Sequence, residues 1–366
     1  MQKKIIALAI AGLASTAAFA QSNVTIYGSV DMGYSYRYQS MTKGIDSQSS
    51  INGGQAQGNR LGFKGVEDLG NGLKAVFLVE QGLGVDASSN DSLHQVTGLQ
   101  TNRSINYTRQ AYAGLAGNFG TLVGGRLYTP HFSFVSAVEP FGAGTVGQYA
   151  NVFGGTTGGD VVRVDNAVAY ISPSFGGFTV TGAYSNNLGG QESLVTNARN
   201  TTVYALLGRF QGAGVDAGIS MHRAAGASTD AFKSIDNVTI GGSFDAKVVK
   251  IAALYGYNNT DFTGSDLRID NYLVGATIPV GKAAIKLSYI FSDGNKTAGG
   301  NAQQLAIGAN YALSKRTDIY TAYSTIDNDS ADGKTPLVRR VSSVGDAANG
   351  GGTFTEGFQV GVRHTF

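Results

Sequence analysis

The chain contains no cysteine and no tryptophan, and only five of its 366 residues are proline. Without cysteine no disulfide framework can hold the fold, so backbone pairing and burial of apolar surface must do so. Beyond the N-terminal segment, no stretch approaches the ~20 consecutive apolar residues of a membrane-spanning helix. These absences exclude a disulfide-stabilised secreted domain and a bundle of transmembrane helices.

The chain also lacks an excess of charge of either sign, with 27 basic and 25 acidic residues. Lys3 and Lys4 lie in the N-terminal segment, and the remaining chain has 25 residues of each sign. This balance gives no electrostatic reason to bind nucleic acid, so we expect no nucleic-acid partner. Any function based on charge must come from the placement of individual side chains.

The first twenty residues have the layout of an export signal. Two lysines precede an apolar run that ends in the small-residue sequence "AFA". We expect residues 1–20 to be cleaved before Gln21, which leaves 21–366 as a single domain. A retained membrane anchor is the alternative, but the run is short and rich in small residues.

Glycine and aromatic residues are abundant, with 53 Gly, 18 Tyr and 18 Phe. In "NVTIYGSVDMGYSYRY" apolar and polar residues alternate with the period of two expected of a strand. The apolar face carries Val24, Ile26, Val30, Met32, Tyr34 and Tyr36, and the polar face carries Thr25, Ser29, Asp31, Ser35 and Arg37. Both a soluble all-β protein and a transmembrane β-barrel alternate in this way.

The C-terminal sequence "TFTEGFQVGVRHTF" is a strand of the same kind. Its apolar face carries Phe354, Phe358, Val360, Val362 and Phe366. A terminal residue on an apolar face needs a paired strand and apolar surroundings, because chain ends otherwise fray. We expect Phe366 to lie at a membrane interface, in a girdle of Tyr and Phe.

Short turns and long polar stretches follow one another along the chain. The seven short turns are 68–72, 116–120, 172–177, 211–214, 245–247, 279–283 and 313–317, and the long stretches are 38–56, 85–101, 128–160, 185–198 and 328–353. Seven hairpins and one strand at each end make sixteen strands, whose first and last members can pair and close the sheet. The sequence therefore predicts an all-β fold, a 16-stranded antiparallel transmembrane β-barrel closed between 23–37 and 354–366.

Five segments resemble the general porins of β-proteobacteria, and the resemblance runs over 21–366. They are "SNVTIYGSVDMGY", "NRLGFKGVEDLGNGLKAVFLVE", "GLAGNFGTLVGGR", "YALSKRTDIYTAYS" and "GVRHTF". The resemblance implies a homotrimer in the outer membrane of a Gram-negative bacterium, in contact with outer-membrane lipid and lipopolysaccharide. It also implies that Phe366 is read by the outer-membrane assembly machinery, and that the third long loop, 128–160, folds inward to narrow the pore.

Strand parity nominates side chains that face the lumen. In "QGNRLGFKG", Leu61 and Phe63 face lipid, so Arg60 and Lys64 face inward. Leu73, Phe77 and Val79 face lipid, so Lys74 and Glu80 face inward. By the same argument Val164, Val168 and Tyr170 face lipid, so Arg163 and Asp165 face inward. Asp31 lies on the polar face of the first strand.

By resemblance, Arg60, Arg109 and Arg163 match a basic cluster that lines the family's pore, and Glu80 matches the neighbouring carboxylate. Alternation does not settle Arg109, because Tyr112 has the opposite parity, so its inward placement comes from the resemblance. Each arginine alone could equally be a solvated wall residue. The three together favour a constriction, since charged rings at the narrowest point select ions.

The third loop is poor in acid. Arg126 opens it, and Glu139 is the only carboxylate between Arg126 and Asn151. The family often sets acidic loop residues against basic wall residues, so both residues are assigned to the constriction. We expect passive diffusion of small hydrophilic solutes and ions, with a preference for anions. A channel with a solute-binding site is the main alternative, and an adhesin or an enzyme built on a barrel is a further one.

Other candidate sites are weak. The glycines of a GxGxxG pattern, Gly142, Gly144 and Gly147, follow no βαβ unit and indicate loop flexibility rather than a dinucleotide site. The four histidines are scattered along the chain at His94, His131, His222 and His364. No acidic or histidine cluster has metal-ligand spacing, so we expect no cofactor, no metal and no catalytic site.

Overall fold

The computed structural model describes residues 23–40, 46–85, 109–153, 161–188, 201–226, 232–262, 265–294, 300–329 and 354–366. The expected leader 1–20 and His94 lie outside the described residues, as do parts of the long loops.

The described residues form seventeen strand segments and one α-helix. The strands are β1 (Asn23–Ser40), β2 (Ser47–Gly53), β3 (Arg60–Gly70), β4 (Leu73–Gly82), β5 (Gln110–Gly117), β6 (Gly120–Tyr128), β7 (Arg163–Ile171), β8 (Phe178–Ser185), β9 (Thr202–Gly212), β10 (Val215–Ala225), β11 (Phe232–Asp245), β12 (Lys250–Phe262), β13 (Ser265–Val280), β14 (Ala283–Asp293), β15 (Asn301–Ala312), β16 (Thr317–Asp329) and β17 (Phe354–Thr365). The helix α1 (Pro130–Val138) and a 3-10 turn (Tyr149–Asn151) lie in the third long loop.

The segments β2 and β3 together make one strand of the wall, because both pair with β1 on the same side. Residues 54–59 interrupt this strand and leave sixteen antiparallel strands around the barrel. The expectation that 38–56 is a loop is therefore wrong for Ser47–Gly53, which is paired. The barrel closes between β1 and β17, from Ser29 opposite Thr365 to Ser40 opposite Phe354, as predicted.

The seven short turns lie at the ends of seven hairpins, as the sequence predicts. The two-residue turns Asn71–Gly72 and Ala213–Gly214 share one backbone geometry. All four residues have positive φ, between 51° and 80°. Positive φ at both central residues is the type I′ geometry, whose twist matches that of the flanking strands.

The two faces of the wall meet different surroundings. In β1 the outward Val24 is 58% exposed, whereas the inward Asp31 and Ser35 are fully buried. Aromatic side chains are exposed near the short-turn end of the barrel, and they include Phe119, Phe175, Phe178, Phe244, Tyr311 and Phe366. This is the girdle expected of a membrane barrel. None of the helices in the described part of the chain is long and apolar enough to cross a bilayer.

Phe366 is fixed to the first strand. Its amide donates to the Gly28 carbonyl over 3.1 Å, and its carbonyl accepts from the Gly28 amide over 3.0 Å. The side chain shares the exposed outer face with Phe358 and Val362, as predicted. Phe354 is an exception, because it is buried and lies 5.4 Å from the Arg37 guanidinium.

The third long loop folds into the barrel, which confirms the expectation drawn from the resemblance. Its helix α1 begins after Thr129, whose hydroxyl accepts from the Phe132 amide over 3.1 Å, with Pro130 in the first turn. The loop buries Phe134, Val135, Val138, Phe141, Val146, Tyr149, Val152 and Phe153 against inward side chains that include Leu254, Leu273, Ile290, Ala306 and Ala322. The main apolar core therefore lies inside the barrel, between this loop and the wall.

Residues 54–59 also fold inward and meet the third loop. The buried Asp31 carboxylate accepts from the amides of Ala56 and Gln57, each over 2.7 Å, and from the Tyr320 hydroxyl over 2.5 Å. Asp31 points into the barrel, where its hydrogen bonds hold the 54–59 segment in place. A Cβ at Gly144 would lie 1.9 Å from the Ala56 carbonyl oxygen, so this glycine permits close packing. The interpretation of the GxGxxG pattern as loop flexibility is therefore wrong at this position.

Candidate pore constriction

A cavity of about 670 Å³ is lined by the third loop, the 54–59 segment and the inner wall. Five basic side chains line it, from Arg60, Arg109, Arg163, Lys286 and Arg363. Among the described residues, Glu139 is the one carboxylate in its lining. The described lining of this cavity, the candidate constriction, thus carries an excess of positive charge.

Glu80 holds two of the arginines in place. It follows the inward parity of β4, opposite Gly62, and is only 2% exposed. Its carboxylate accepts from Arg109 Nε over 2.7 Å and from the Tyr27 hydroxyl over 2.9 Å, and Arg60 Nη1 lies 3.7 Å away. A buried carboxylate needs such charge-assisted partners, and it fixes their positions in return.

Tyr128 connects the second and third arginines. Its hydroxyl accepts from Arg109 Nη2 over 2.6 Å and from Arg163 Nη2 over 3.3 Å. The Arg163 guanidinium also lies 4.9 Å from the centre of the Tyr128 ring, a cation–π contact. Sequence reasoning missed Tyr128 and also Tyr27, which donates to Glu80. The signal for Tyr27 was present, since it shares the inward parity of Asp31.

Arg109 lies just before β5 begins, which explains its ambiguous parity. Its amide donates to the Glu80 carbonyl over 3.2 Å, and its side chain contacts the Glu80 carboxylate. Strict alternation applies only within the strand, where Tyr112 points inward. Arg109 and Tyr112 can therefore both point into the barrel.

Two further basic residues of the cavity were missed. Lys286 lies on β14, and its ammonium is 5.9 Å from the Phe141 ring of the third loop. Arg363 of β17 also lines the cavity, and its guanidinium bonds Asp318 over 2.9 and 3.1 Å. Both have the inward parity of their strands, since Ile285, Leu287 and Val362 are exposed on the outer face, but parity alone does not show which inward residues share a cavity.

Glu139 caps the C-terminal end of α1 and is 4% exposed. Burial raises the pKa of its carboxyl to about 8, although the amides of Phe141 and Gly142 and the charge of Lys286 oppose this shift. Glu139 is therefore largely uncharged at neutral pH. The loop that faces the arginines contributes little negative charge.

The sequence assigned Arg126 to the constriction and Asp165 to the lumen wall. The two side chains form an ion pair with each other, and neither lines the cavity. Arg126 shares the parity of Leu122, which is exposed on the outer face. The expectation that Val164 faces lipid is wrong, because it is 2% exposed. The cause is an irregularity in the β6–β7 pairing, where Asn166 has a φ of 47°.

Lys64 and Lys74 follow the inward parity of the β3–β4 hairpin and are exposed. The Lys64 ammonium lies 5.5 Å from the Tyr27 ring, and Lys74 lies opposite Asp68 near the turn. Neither lines the constriction cavity. Lys64 instead borders a second cavity on the short-turn side.

His131 of the third loop and His222 of β10 are distant in sequence but close in the fold. The rings of His131 and His222 are 5.6 Å apart and nearly perpendicular. Burial lowers the pKa of His131 to about 4, so it is neutral at ordinary pH. Over the described ranges, no group of three or more His, Asp or Glu side chains is placed to hold a metal ion.

A family model described as Gram-negative porin matches residues 7–331. The chain belongs to the Gram-negative porin family. Outer membrane porin protein 32 of Delftia acidovorans is 30% identical over the whole of both chains. An outer membrane porin protein of Bordetella pertussis is 29% identical over 90% of this chain and 95% of that protein.

Solved structures agree with the family. The anion-selective porin from Comamonas acidovorans superposes with a TM-score of 0.75 and 25% identity, over 94% of this chain and all of that one. The trimer form of OmpT from Vibrio cholerae superposes with a TM-score of 0.66 at 15% identity, over 94% of this chain and 99% of that one, which shows the shared fold. The predictions of fold, family and outer-membrane location are confirmed. The protein is a porin, a passive diffusion channel rather than an enzyme.

Proposed function

We propose that this porin prefers anions and that Arg60, Arg109 and Arg163 set the preference. The observation that carries the proposal is the lining of the constriction cavity, with five basic side chains and a single carboxyl group among the described residues, Glu139, whose pKa is raised by burial. The described part of the chain offers Arg163 no carboxylate, only the Tyr128 ring and hydroxyl. The structural neighbour from Comamonas acidovorans, described as anion-selective, supports the same direction.

The physical basis is the field inside a narrow aqueous opening. Like charges crowded together raise the local potential, and walls of low dielectric constant keep the field focused in the lumen. The network through Glu80 and Tyr128 fixes the guanidinium groups against one another's repulsion. Anions are therefore concentrated at the constriction, and small cations are depleted.

The wider setting follows from the same family membership. We propose a homotrimer, since one of the structural neighbours is described as a trimer form. We also propose that the outer face contacts membrane lipid and lipopolysaccharide, and that the assembly machinery reads Phe366 after the leader 1–20 is removed. The exposed aromatic girdle and the pairing of Phe366 with β1 support this setting.

The test is the zero-current potential of the purified protein in a planar bilayer across a potassium chloride gradient. Replacing Arg60, Arg109 and Arg163 with Gln should shift this potential towards cations. The wild-type preference should also weaken as salt shortens the Debye length from ~10 Å at 0.1 M to ~3 Å at 1 M.

The matched control replaces three exposed lysines of the short turns, Lys247, Lys282 and Lys315, with Gln. This control removes the same charge far from the constriction cavity. If both triple variants shift the potential equally, the whole pore mouth sets the preference and the assignment of the three arginines is wrong.

A further inference from the structure

One row of the inner wall is apolar on the short-turn side of the constriction. Cross-strand neighbours from β3 to β8 form this row, which we call the apolar belt: Val66, Val76, Gly114, Val123, Ala169 and Ala183. All six follow the inward parity of their strands. Four of the six, Val76, Val123, Ala169 and Ala183, belong to or pack against an apolar cluster of the inner wall that is separate from the cluster around the third loop.

The belt is not simply a packing surface for that loop. It borders a cavity of about 790 Å³ whose far side is formed by Pro130 and Ser133, in the first turns of α1. Val66 at one end of the belt is 45% exposed. Water and inorganic ions gain nothing from apolar side chains, and exposed apolar area is unfavourable in water. A solute with an apolar body would be stabilised there.

A cation lies in the next row of the same wall. Lys64 is the cross-strand neighbour of Leu78, which is itself the neighbour of Tyr112, and such neighbours have Cβ atoms ~5 Å apart. Lys64 is exposed and forms no ion pair with the described residues. Across the cavity, Arg209 is neutralised by two bonds of 2.6 Å to Asp216. Lys64 therefore carries the uncompensated charge of this cavity.

We propose that this second cavity binds organic anions with an apolar body, such as aromatic monocarboxylates. The carboxylate lies near the Lys64 ammonium, and the ring lies on the belt beside Leu78 and Tyr112. The proposal rests on the proposed anion preference, since the solute must first be drawn into the lumen. It adds the class of anion that is retained there.

The experiment compares benzoate with acetate on the full-length protein in a planar bilayer at pH 7, where both carboxylic acids are ionised. Each is added at equal concentration to a chloride solution, and the decrease in chloride current is measured. Benzoate should reduce the current at about tenfold lower concentration than acetate, because only its ring can be removed from water by the belt.

Two sets of variants locate the site. Val66→Thr and Val76→Thr keep the side-chain shape but add a hydroxyl, and each should weaken the benzoate effect about threefold without altering the acetate effect. Lys64→Gln should weaken it as well. Lys74→Gln, which removes the same charge from the same hairpin but nearer the turn, should not.

The chloride conductance of each variant shows that the barrel is folded. Because Val66 is partly exposed, Val66→Thr can still be measured if Val76→Thr does not assemble. Equal effects of benzoate and acetate, or a benzoate effect unchanged in Val66→Thr, would overturn the proposal. An anion-selective channel without benzoate preference would leave the proposed function intact. A channel without anion preference would instead contradict the proposed function itself.

Discussion

At the residue scale, the charge of the constriction depends on how deeply one carboxyl is buried. Glu139 belongs to the third loop and faces a lumen lined by basic side chains, yet it is 4% exposed. A carboxylate in such a place loses its hydration, and this loss favours the neutral acid. The protonation of Glu139 therefore sets how much of the basic charge is offset.

The anion preference should fall as pH rises through about 8. Burial raises the pKa of Glu139 to about 8, so the group is neutral below this pH and gains a negative charge above it. One unit charge at ~4 Å from a permeating ion is worth ~1 kcal/mol even at the dielectric constant of water, roughly a fivefold change in relative occupancy. The measurement is the zero-current potential at pH 6 and pH 9, since lysines also lose charge at higher pH.

Glu139→Gln is the control, since it keeps the shape of the side chain and has no proton to lose. Its anion preference should match that of the wild type at pH 6 and stay there at pH 9. A pH dependence of the same size in this variant would assign the titration to another group.

At the element scale, two inward segments meet at one glycine, and we expect this contact to set the position of the third loop in the lumen. The 54–59 segment is held by Asp31, and Gly144 lies against its Ala56 carbonyl. Because any Cβ there would overlap the backbone of Ala56, one segment must move if Gly144 is replaced. The opening between them would change with it.

Gly144→Ala should therefore alter the single-channel conductance and destabilise the loop packing by about 1–3 kcal/mol, the usual cost of overpacking. Conductance histograms from single insertions and the unfolding midpoint in denaturant measure the two effects. Gly182→Ala is the control, since a Cβ there meets no heavy atom within 4 Å. Unchanged conductance in Gly144→Ala would mean that the two segments do not position each other.

The alternation of apolar and polar residues was sufficient to predict the barrel wall, but not the segments that fold inside it. It predicted the strands, the closure and the inward faces of Arg60 and Glu80, because a strand in a barrel has two faces in different media. It was wrong for Val164, where an irregular pairing reverses the faces, and it could not settle Arg109, which precedes its strand. Alternation also directs Lys286 inward, between the exposed Ile285 and Leu287, but it could not place Lys286 or Tyr128 at the cavity, because that depends on where the third loop folds.

At the scale of the whole molecule, the wall is complete only when its last strand is in place. β17 pairs with β16 on one side and β1 on the other, and Phe366 exchanges two backbone hydrogen bonds with Gly28. An unclosed sheet would present unpaired backbone groups to lipid, each costing several kcal/mol. The terminal aromatic side chain is exposed on the outside of this closing strand.

Phe366→Asp should deplete the protein from the outer membrane, since it places a charge at the membrane interface and removes the terminal aromatic group. Quantitative blotting of outer-membrane fractions measures the effect, and we expect at least a several-fold decrease. Phe175→Asp is the matched control, because Phe175 is an exposed aromatic residue in a short turn of the same girdle. Equal depletion by both changes would assign the effect to the girdle rather than to the chain end.

The closure between β1 and β17 also bears on how slowly the barrel folds. In the described part of the chain, these two strands are farther apart in sequence than any other paired strands. Their pairing therefore carries the largest loop-closure entropy of the fold, and it can form only after the strands between them are in place. A sheet without this pairing keeps two unpaired edges, which a bilayer does not tolerate, so the seam is the contact that commits the sheet to a sealed cylinder.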